Sequence, residues 1–223
     1  MRIKWPFALL LGLCLLCLCL CKDTWAQAEP ANSAVARCFD GDTVKLTDRR
    51  VVRLAGIDAP ELAHEKIAEQ FYARAAQKEL ESIVTGHKIS LGEASVHNKD
   101  RFGRVIAELM LEDGQSVCEL MVRRGAAFYY PHKDLLPDLQ KRLLEEQIAA
   151  IETRQGMWEE LLASPVAKMN YIGNRDSLRF FPNDCPQAQK IKPRNRVYFE
   201  TLMDAFLAGF APSRVCPFWP DAR

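Results

Sequence analysis

The chain has 223 residues, 48% of them hydrophobic and 26% charged, with 30 basic and 29 acidic side chains. This balance excludes a protein that attracts nucleic acid through a strong overall positive charge. Any polyanion must therefore be held by local groups or by a cation. The length is enough for one ordinary domain with an appendage.

The first 28 residues have the pattern of a secretory signal peptide. Arg2 and Lys4 form a short basic region, an apolar run follows from 7 to 21, and residues 26–28 fit a small-x-small cleavage site. The apolar run is short for a membrane span, and an uncleaved anchor is the alternative. Cleavage would leave 27 basic and 28 acidic residues, a net charge of −1. We therefore expect a secreted or periplasmic protein with no membrane attachment after cleavage.

The rest of the chain predicts short strands separated by helices. Period-two and helical apolar patterns assign these elements. The predicted strands cover 35–46 with a break at 41, then 51–57, 88–91, 104–111 and 126–130. The predicted helices cover 68–84, 117–124 and 138–153. This order is typical of a mainly β fold with helices (α+β), built on a small closed barrel of the OB type.

A change in amino-acid composition after Leu162 marks a second unit. Ser164-Pro165 breaks the preceding pattern, and the residues that follow are richer in Pro, Asn and Arg. We therefore divide the chain into a signal peptide at 1–28, an OB-fold domain at 29–163 and a small α/β module at 164–223.

Three motifs place carboxylates and guanidinium groups at the edges of predicted strands. They read Asp-Gly-Asp-Thr-Val at 40–44, Arg-Leu-Ala-Gly-Ile-Asp-Ala-Pro-Glu at 53–61 and Asp-Arg-Phe-Gly-Arg at 100–104. Carboxylate oxygens suit a hard cation, and arginines bind phosphate bidentately. Each residue alone also has a structural explanation, such as a turn or a helix cap. Their joint occurrence favours a site that cleaves phosphodiesters.

The same motifs occur together with Leu-Met-Val-Arg-Arg-Gly at 120–125. In type, order and approximate spacing, the four motifs resemble the staphylococcal-nuclease-like (thermonuclease) family over residues 35–160. The resemblance implies a five-stranded OB barrel with three helices. It also implies calcium-dependent endonuclease activity on DNA and RNA that leaves 3′-phosphate ends. We expect a monomer with these nucleic acids as substrates and no stable protein partner.

The resemblance assigns the acidic residues to the metal ion and to the attacking water. Asp42 and Asp58 would bind Ca²⁺ together with the main-chain carbonyl of Ala59, a position where the family often has Thr. Glu61 would position or activate the attacking water. Pro60 restricts the backbone before this glutamate and so helps to fix its position.

The resemblance assigns the basic and aromatic residues to the substrate. Arg53 and Arg104 would grip the scissile phosphate and cover the charge that develops in the transition state. Tyr129 or Tyr130 would line the nucleotide pocket. Phe102 stands where the family often has Tyr, so a hydroxyl role at that position is lost.

Four cysteines lie beyond the predicted signal peptide, and sequence alone allows three pairings among Cys38, Cys118, Cys185 and Cys216. Residues 171–216 resemble an Ada-type metal-binding module in which two ligand positions, Cys185 and Cys216, remain. Two ligands cannot complete a structural zinc site. In an exported protein the resemblance therefore implies a Cys185–Cys216 disulfide without zinc, which leaves Cys38 and Cys118 as a second pair.

Two classes of function follow from these observations. The first is the calcium-dependent endonuclease, which retention of all five charged residues favours. The alternative is a non-catalytic OB-fold module that binds nucleic acid or protein. The sequence leaves the preference between DNA and RNA, and the role of 164–223, open.

Overall fold

The computed structural model describes residues 33–64, 68–216 and 218–220. The predicted signal peptide at 1–28 lies outside these residues. Within them, the fold is a mixture of strands and helices, as expected for an α+β protein. No helix in the described part of the chain has the length and apolar character needed to cross a membrane.

The first half of the chain forms a five-stranded sheet and a short strand pair. The seven strands are β1 (Val35–Cys38), β2 (Thr43–Leu46), β3 (Val51–Leu54), β4 (Ile57–Asp58), β5 (Ile89–Gly92), β6 (Val105–Leu111) and β7 (Phe128–Tyr129). The sheet order is β1-β2-β3-β6-β5, and β4 pairs with β7. Strands β3 and β6 are parallel, whereas the other pairs are antiparallel. A bridge between Ser33 and Ile89 links the chain before β1 to β5; the closed barrel stays a prediction.

Four helices accompany these strands, namely α1 (Ala73–Val84), α2 (Val117–Arg123), α3 (Pro137–Glu152) and α4 (Met157–Ala163). Helix α1 begins five residues later than its apolar pattern predicts. Gln70 exchanges hydrogen bonds with Glu61, and Tyr72 has a left-handed backbone with φ of 70°, so the preceding residues cannot continue the helix. Helix α4 was not predicted, because Gly156 ends the preceding pattern and the helix that follows has just seven residues.

Residues after 164 add a second sheet and one helix. The elements are β8 (Tyr171–Asn174), β9 (Arg179–Pro182), β10 (Arg196–Phe199), α5 (Leu202–Leu207) and β11 (Ala211–Pro212). The sheet order is β10-β8-β9-β11, and β11 runs parallel to β9. Thr201 and Asp204 form a capping box that starts α5, each side chain bonding the backbone N–H of the other.

The hydrophobic core crosses the predicted domain boundary at 163. Phe206 of α5 makes edge-to-face contacts with Phe128 of β7 and Trp158 of α4, at ring-centroid distances of 5.6 and 4.8 Å. Aromatic pairs of this geometry add about 0.5–1.5 kcal/mol each beyond the area that they bury. The boundary stays a prediction, but residues on its two sides share one aromatic core.

A buried amide joins the same two parts of the chain. The Gln147 side chain on α3 is fully buried. Its Oε1 accepts a hydrogen bond from the Tyr129 N–H at 2.8 Å, and its Nε2 donates one to the Phe206 carbonyl at 2.8 Å. One side chain therefore satisfies a backbone group of β7 and a backbone group of α5.

The cysteine predictions have opposite outcomes. Cys185 and Cys216 form a disulfide, as predicted. The predicted Cys38–Cys118 pair is wrong, because both thiols are free and buried. The Cys38 carbonyl accepts a hydrogen bond from Gln77 on α1, whereas Cys118 lies in the first turn of α2. Each thiol packs as a small apolar side chain in its own part of the core.

Differential alkylation should separate the two kinds of cysteine. Burial raises the pKa of Cys38 and of Cys118 to about 12, so neither thiol should react with iodoacetamide at pH 8 in the folded protein. Unfolding alone should expose both to labelling, whereas Cys185 and Cys216 should also need a reductant. Peptide mapping by mass spectrometry reads the result, and labelling of Cys38 that depends on reductant would contradict the assignment.

Replacing Gln147 with Leu should destabilise the whole fold. The change leaves a buried N–H and a buried C=O without partners, and each costs about 1–3 kcal/mol, so we expect a loss of about 2–6 kcal/mol in unfolding free energy. Urea denaturation measures it. Gln155→Leu, at an exposed position, is the matched control and should change stability by less than about 0.5 kcal/mol. Equal unfolding free energies for Gln147→Leu and Gln155→Leu would show that the two hydrogen bonds of Gln147 do not stabilise the fold.

Candidate active site

The first carboxylate is placed by a tight loop between β1 and β2. Asp40 Oδ1 accepts a hydrogen bond from the Asp42 N–H at 2.9 Å, which closes the turn. A Cβ on Gly41 would lie 2.6 Å from the Cβ of Ala59 and 2.9 Å from that of Ala76. Glycine is therefore required for the loop to approach Ala59 so closely, and this approach brings Asp42 to the end of β4.

Arg53 joins the two predicted metal-binding carboxylates. Its Nη2 lies 2.6 Å from Asp58 Oδ1 and 3.0 Å from Asp42 Oδ2, and its Nη1 donates to the Leu54 carbonyl at 3.0 Å. All three side chains are largely buried; that of Arg53 is 13% exposed. Although burial opposes the charge, Asp42 and Asp58 raise the pKa of Arg53, so the guanidinium remains a cation.

Asp58 and Ala59 are held in place by backbone pairing and by Asp42. Asp58 lies in β4 opposite Phe128 of β7. The Ala59 N–H donates to Asp42 Oδ2 at 2.9 Å, and Thr43 Oγ1 donates to Asp42 Oδ1 at 2.9 Å. Burial is the main cause that raises the pKa of Asp58, with the charge of Arg53 acting against it. The predicted ligand group of Asp42, Asp58 and Ala59 is thus brought together.

Glu61 lies within electrostatic reach of the same carboxylates. Its backbone is fixed by Gln70, which accepts the Glu61 N–H at 2.9 Å and donates its own N–H to the Glu61 carbonyl at 3.0 Å. Burial raises the pKa of Glu61, and the charges of Asp42 and Asp58 raise it further. A carboxylate of raised pKa is better suited to accept a proton from water than an ordinary surface glutamate.

Asp40 is an acidic neighbour that sequence reasoning did not assign to the site. Burial and the adjacent charge of Asp42 raise the pKa of Asp40 to about 7. Glu61 adds to the same effect, which places Asp40 beside the cluster. Its position two residues before Asp42, in the Asp-Gly-Asp motif, was the available signal.

Arg104 is positioned by the turn that precedes β6. Asp100 Oδ1 accepts the backbone N–H groups of Phe102 and Arg104, and Asp100 Oδ2 accepts Arg104 Nε at 2.7 Å. Gly103 completes the turn with φ of 78°, where glycine is favoured. Burial acts to raise the pKa of Asp100, but the hydrogen bonds from Arg104 lower it overall. Asp100 therefore holds the guanidinium of Arg104 at the end of the strand beside β3.

A cleft of about 360 Å³ connects the two predicted phosphate-binding arginines. Its lining includes Arg53, Lys99, Arg104, Tyr130 and Arg214. The cavity is of a size that admits a small ligand. Two larger surface hollows, of about 780 and 700 Å³, contain none of the predicted site side chains. We therefore assign the substrate cleft by its chemistry rather than by its volume.

The two predicted tyrosines differ in position. Tyr130 is half-buried and lines the cleft, with the Arg179 guanidinium 3.6 Å from its ring centroid. Tyr129 is 4% exposed, and its hydroxyl donates to Gln140 Oε1 at 3.1 Å. The structure thus brings Tyr130, rather than Tyr129, to the face that a nucleotide would contact.

Arg214 is a site residue that the sequence did not indicate. Its Nη2 donates to Asp58 Oδ1, the same oxygen that Arg53 contacts. Its guanidinium also lies 5.4 Å from the ring centroid of Tyr130. The nearest signal was the predicted disulfide at Cys216, two residues later, but that segment was assigned to a separate module.

The donor set matches a hard cation in chemical type. Asp42 and Asp58 offer carboxylate oxygens, and the Ala59 carbonyl is another hard oxygen, as calcium prefers. Among the described residues, no group of three or more His, Cys, Asp or Glu side chains is arranged to hold a metal ion. Instead, two guanidinium groups contact Asp58, and Arg53 bridges it to Asp42.

Comparison with known proteins gives a consistent assignment. The family model described as staphylococcal nuclease homologue matches residues 51–160. An Escherichia coli protein named "Uncharacterized endonuclease" is 33% identical over 141 residues, covering 60% of this chain and 80% of the relative. A "Probable endonuclease lcl3" from Aspergillus flavus is 33% identical over 128 residues, covering 51% of this chain and 45% of the relative.

A plant protein is also similar to this chain. The "Probable staphylococcal-like nuclease CAN1" of Oryza sativa subsp. japonica is 35% identical over 107 residues, covering 48% of this chain and 28% of the relative. The fungal and plant relatives are therefore much longer than the region they share with this chain. The stretch matched by the family model includes Arg53, Asp58, Glu61 and Arg104.

Proposed function

This chain belongs to the family of staphylococcal nuclease homologues and is a nuclease, and from that premise we propose that it is a calcium-dependent endonuclease acting on DNA and RNA. The observation that carries the proposal is the Asp42–Arg53–Asp58 ion-pair group, which borders a cleft lined by Arg53 and Arg104. The alternative of a non-catalytic binding module is not supported, because the chain retains the residues that the chemistry requires.

The acidic residues would supply the cation site and the base. Calcium held by the Asp42 and Asp58 carboxylates and the Ala59 carbonyl would act as a Lewis acid that reduces the repulsion between a phosphodiester and an incoming nucleophile. Glu61 accepts a proton from the attacking water, a role worth about 10²–10⁴ in rate. The proposed products are fragments with 3′-phosphate ends.

The arginines act on the phosphate. Arg53 and Arg104 enter the cleft from adjacent strands, since Arg53 pairs with Ile106, two residues after Arg104. Guanidinium groups placed before the reaction stabilise the additional negative charge of a pentacoordinate transition state more than the ground state. Tyr130 completes this wall of the cleft and contributes a surface for the nucleotide.

The remaining proposals concern location and the flanking structure. The Cys185–Cys216 disulfide and the pattern of residues 1–28 support a secreted or periplasmic protein without membrane attachment after cleavage. We also propose that the protein acts as a monomer. The bridge between Ser33 and Ile89 supports closure of the five-stranded sheet into a barrel. We also propose that residues 171–216 are related to an Ada-type metal-binding module in which the two remaining ligand positions, Cys185 and Cys216, form the disulfide.

Digestion of purified substrates tests the metal and product proposals. Single- and double-stranded DNA and RNA should all be cleaved with calcium, more slowly with magnesium, and not with a chelator. The DNA fragments should prime a DNA polymerase after phosphatase treatment but not before it, because a 3′-phosphate blocks extension. Cleavage that persists in chelator, or fragments that prime directly, would refute calcium dependence or the product assignment respectively.

Two substitutions test the assigned residues. Glu61→Gln should lower kcat by about 10²–10⁴ through loss of the base, and Arg104→Ala by about 10²–10³ through loss of transition-state stabilisation. Glu145→Gln and Arg194→Ala, at exposed positions outside the cleft, are the matched controls. Thermal unfolding should show that all four variants fold. Activity within a few-fold of the parent in both site variants would contradict the assignment.

A further inference from the structure

We propose that Arg214 is a third phosphate-binding guanidinium of the substrate cleft, supplied by the C-terminal segment and held in place by the Cys185–Cys216 disulfide. The inference rests on the proposed function, because it takes the cleft beside Asp58 as the place where the phosphodiester binds. It assigns the segment after 164 a direct part in substrate recognition, outside the region that the family model matches.

The backbone on both sides of Arg214 is fixed. Before it, β11 pairs with β9, and the Ser213 N–H donates to the Phe180 carbonyl at 2.9 Å. After it, Cys216 is bonded to Cys185, which is buried. Arg214 is therefore held between a strand and a disulfide, and its side chain is directed at Asp58, which lies 156 residues earlier in the chain.

Arg214 is more exposed than Arg53 and Arg104, and it has N–H donors available to a ligand that Arg53 lacks. Arg53 is 13% exposed and uses its two terminal nitrogens on Asp42, Asp58 and a carbonyl. The Arg104 side chain is 31% exposed and bonds Asp100 through Nε. Arg214 is 58% exposed, and its one described hydrogen bond comes from Nη2. Because a guanidinium carries five N–H donors, most of those on Arg214 remain free for phosphate oxygens.

The charge distribution favours a polyanion at this position. The cleft is lined by four cationic side chains and two carboxylates, in a chain whose overall charge is close to neutral; the cations are Arg53, Lys99, Arg104 and Arg214, and the carboxylates are Asp100 and Asp134. Arg179 does not compete for the role, because it lies on the Tyr130 ring and donates to the Leu178 and Pro131 carbonyls. The opposing interpretation is that Arg214 only neutralises Asp58, in which case it would not contact substrate.

Binding measured without turnover distinguishes these interpretations. Fluorescence anisotropy of a labelled single-stranded DNA should be recorded in the Glu61→Gln background, with calcium at a concentration that titration shows to be saturating for each variant. Adding Arg214→Ala should raise Kd about tenfold, as expected for one lost charged hydrogen-bonding group. It should also reduce the slope of log Kd against log salt by about 0.7, the contribution of one phosphate contact to a single strand.

Two further variants separate the charge of Arg214 from its planar geometry and provide a control. Arg214→Lys keeps the charge without the planar fork, so it should restore the salt slope while recovering only part of the affinity. Arg194→Ala removes an exposed arginine of the same segment outside the cleft, and should change neither quantity. If Arg214→Ala matches this control in both Kd and salt slope, the proposal is wrong. Cleavage in the Glu61→Gln background at a rate within a few-fold of the parent would instead count against the proposed function.

The role of the disulfide is tested by a mutant cycle. Cys185→Ser/Cys216→Ser should weaken DNA binding when Arg214 is present, because the segment that carries the arginine loses its anchor. The same change should have no further effect in the Arg214→Ala protein. An equal loss in both backgrounds would show that the disulfide does not act through Arg214. If the serine variant fails to fold by circular dichroism, the Arg214→Ala and Arg214→Lys comparison still decides whether Arg214 binds phosphate.

Discussion

The bridge from Arg53 to Asp42 and Asp58 is the interaction on which the site depends. Two buried carboxylates at the end of a small sheet would repel each other and lose hydration, so they need a cation between them. The guanidinium of Arg53 supplies it, and Arg214 adds a second positive group at Asp58. In the proposed function the same guanidinium groups bind the phosphate, so the charges that stabilise the buried carboxylates would also contribute to substrate binding.

Burial and neighbouring negative charges explain why the pKa values of these acids are raised. Burial raises the pKa of Asp58 and of Glu61, and crowding with Asp42 adds to the effect at both. Asp40 responds in the same direction. Each group would therefore gain from an additional cation nearby, which is consistent with a site built to take a divalent ion.

The sequence predicts the local parts of the candidate site but not the distant one. Asp42, Asp58 and Glu61 lie within one stretch of twenty residues whose turns and strands could be recognised, and the predicted strands and all three predicted helices are present. No periodicity links residue 58 to residue 214, so Arg214 could not be assigned. The Cys38–Cys118 error has a related cause, since a cysteine count does not distinguish a packed thiol from a bonded one. The aromatic core that crosses the expected boundary at 163 was not predicted either, because its residues lie far apart in the sequence.

The long separation between Asp58 and Arg214 also bears on the order in which the molecule folds. Closing a loop of this length costs conformational entropy before the contact between its ends can stabilise the chain, although this cost rises slowly with loop length. The packing of Phe206 against Phe128, which pairs with Asp58 between β4 and β7, brings the two ends of that loop together. We expect the arginine to reach its carboxylate only after this aromatic packing has formed. A partly folded chain would then lack the complete cleft, and the enzyme would become active only in the last steps of tertiary folding.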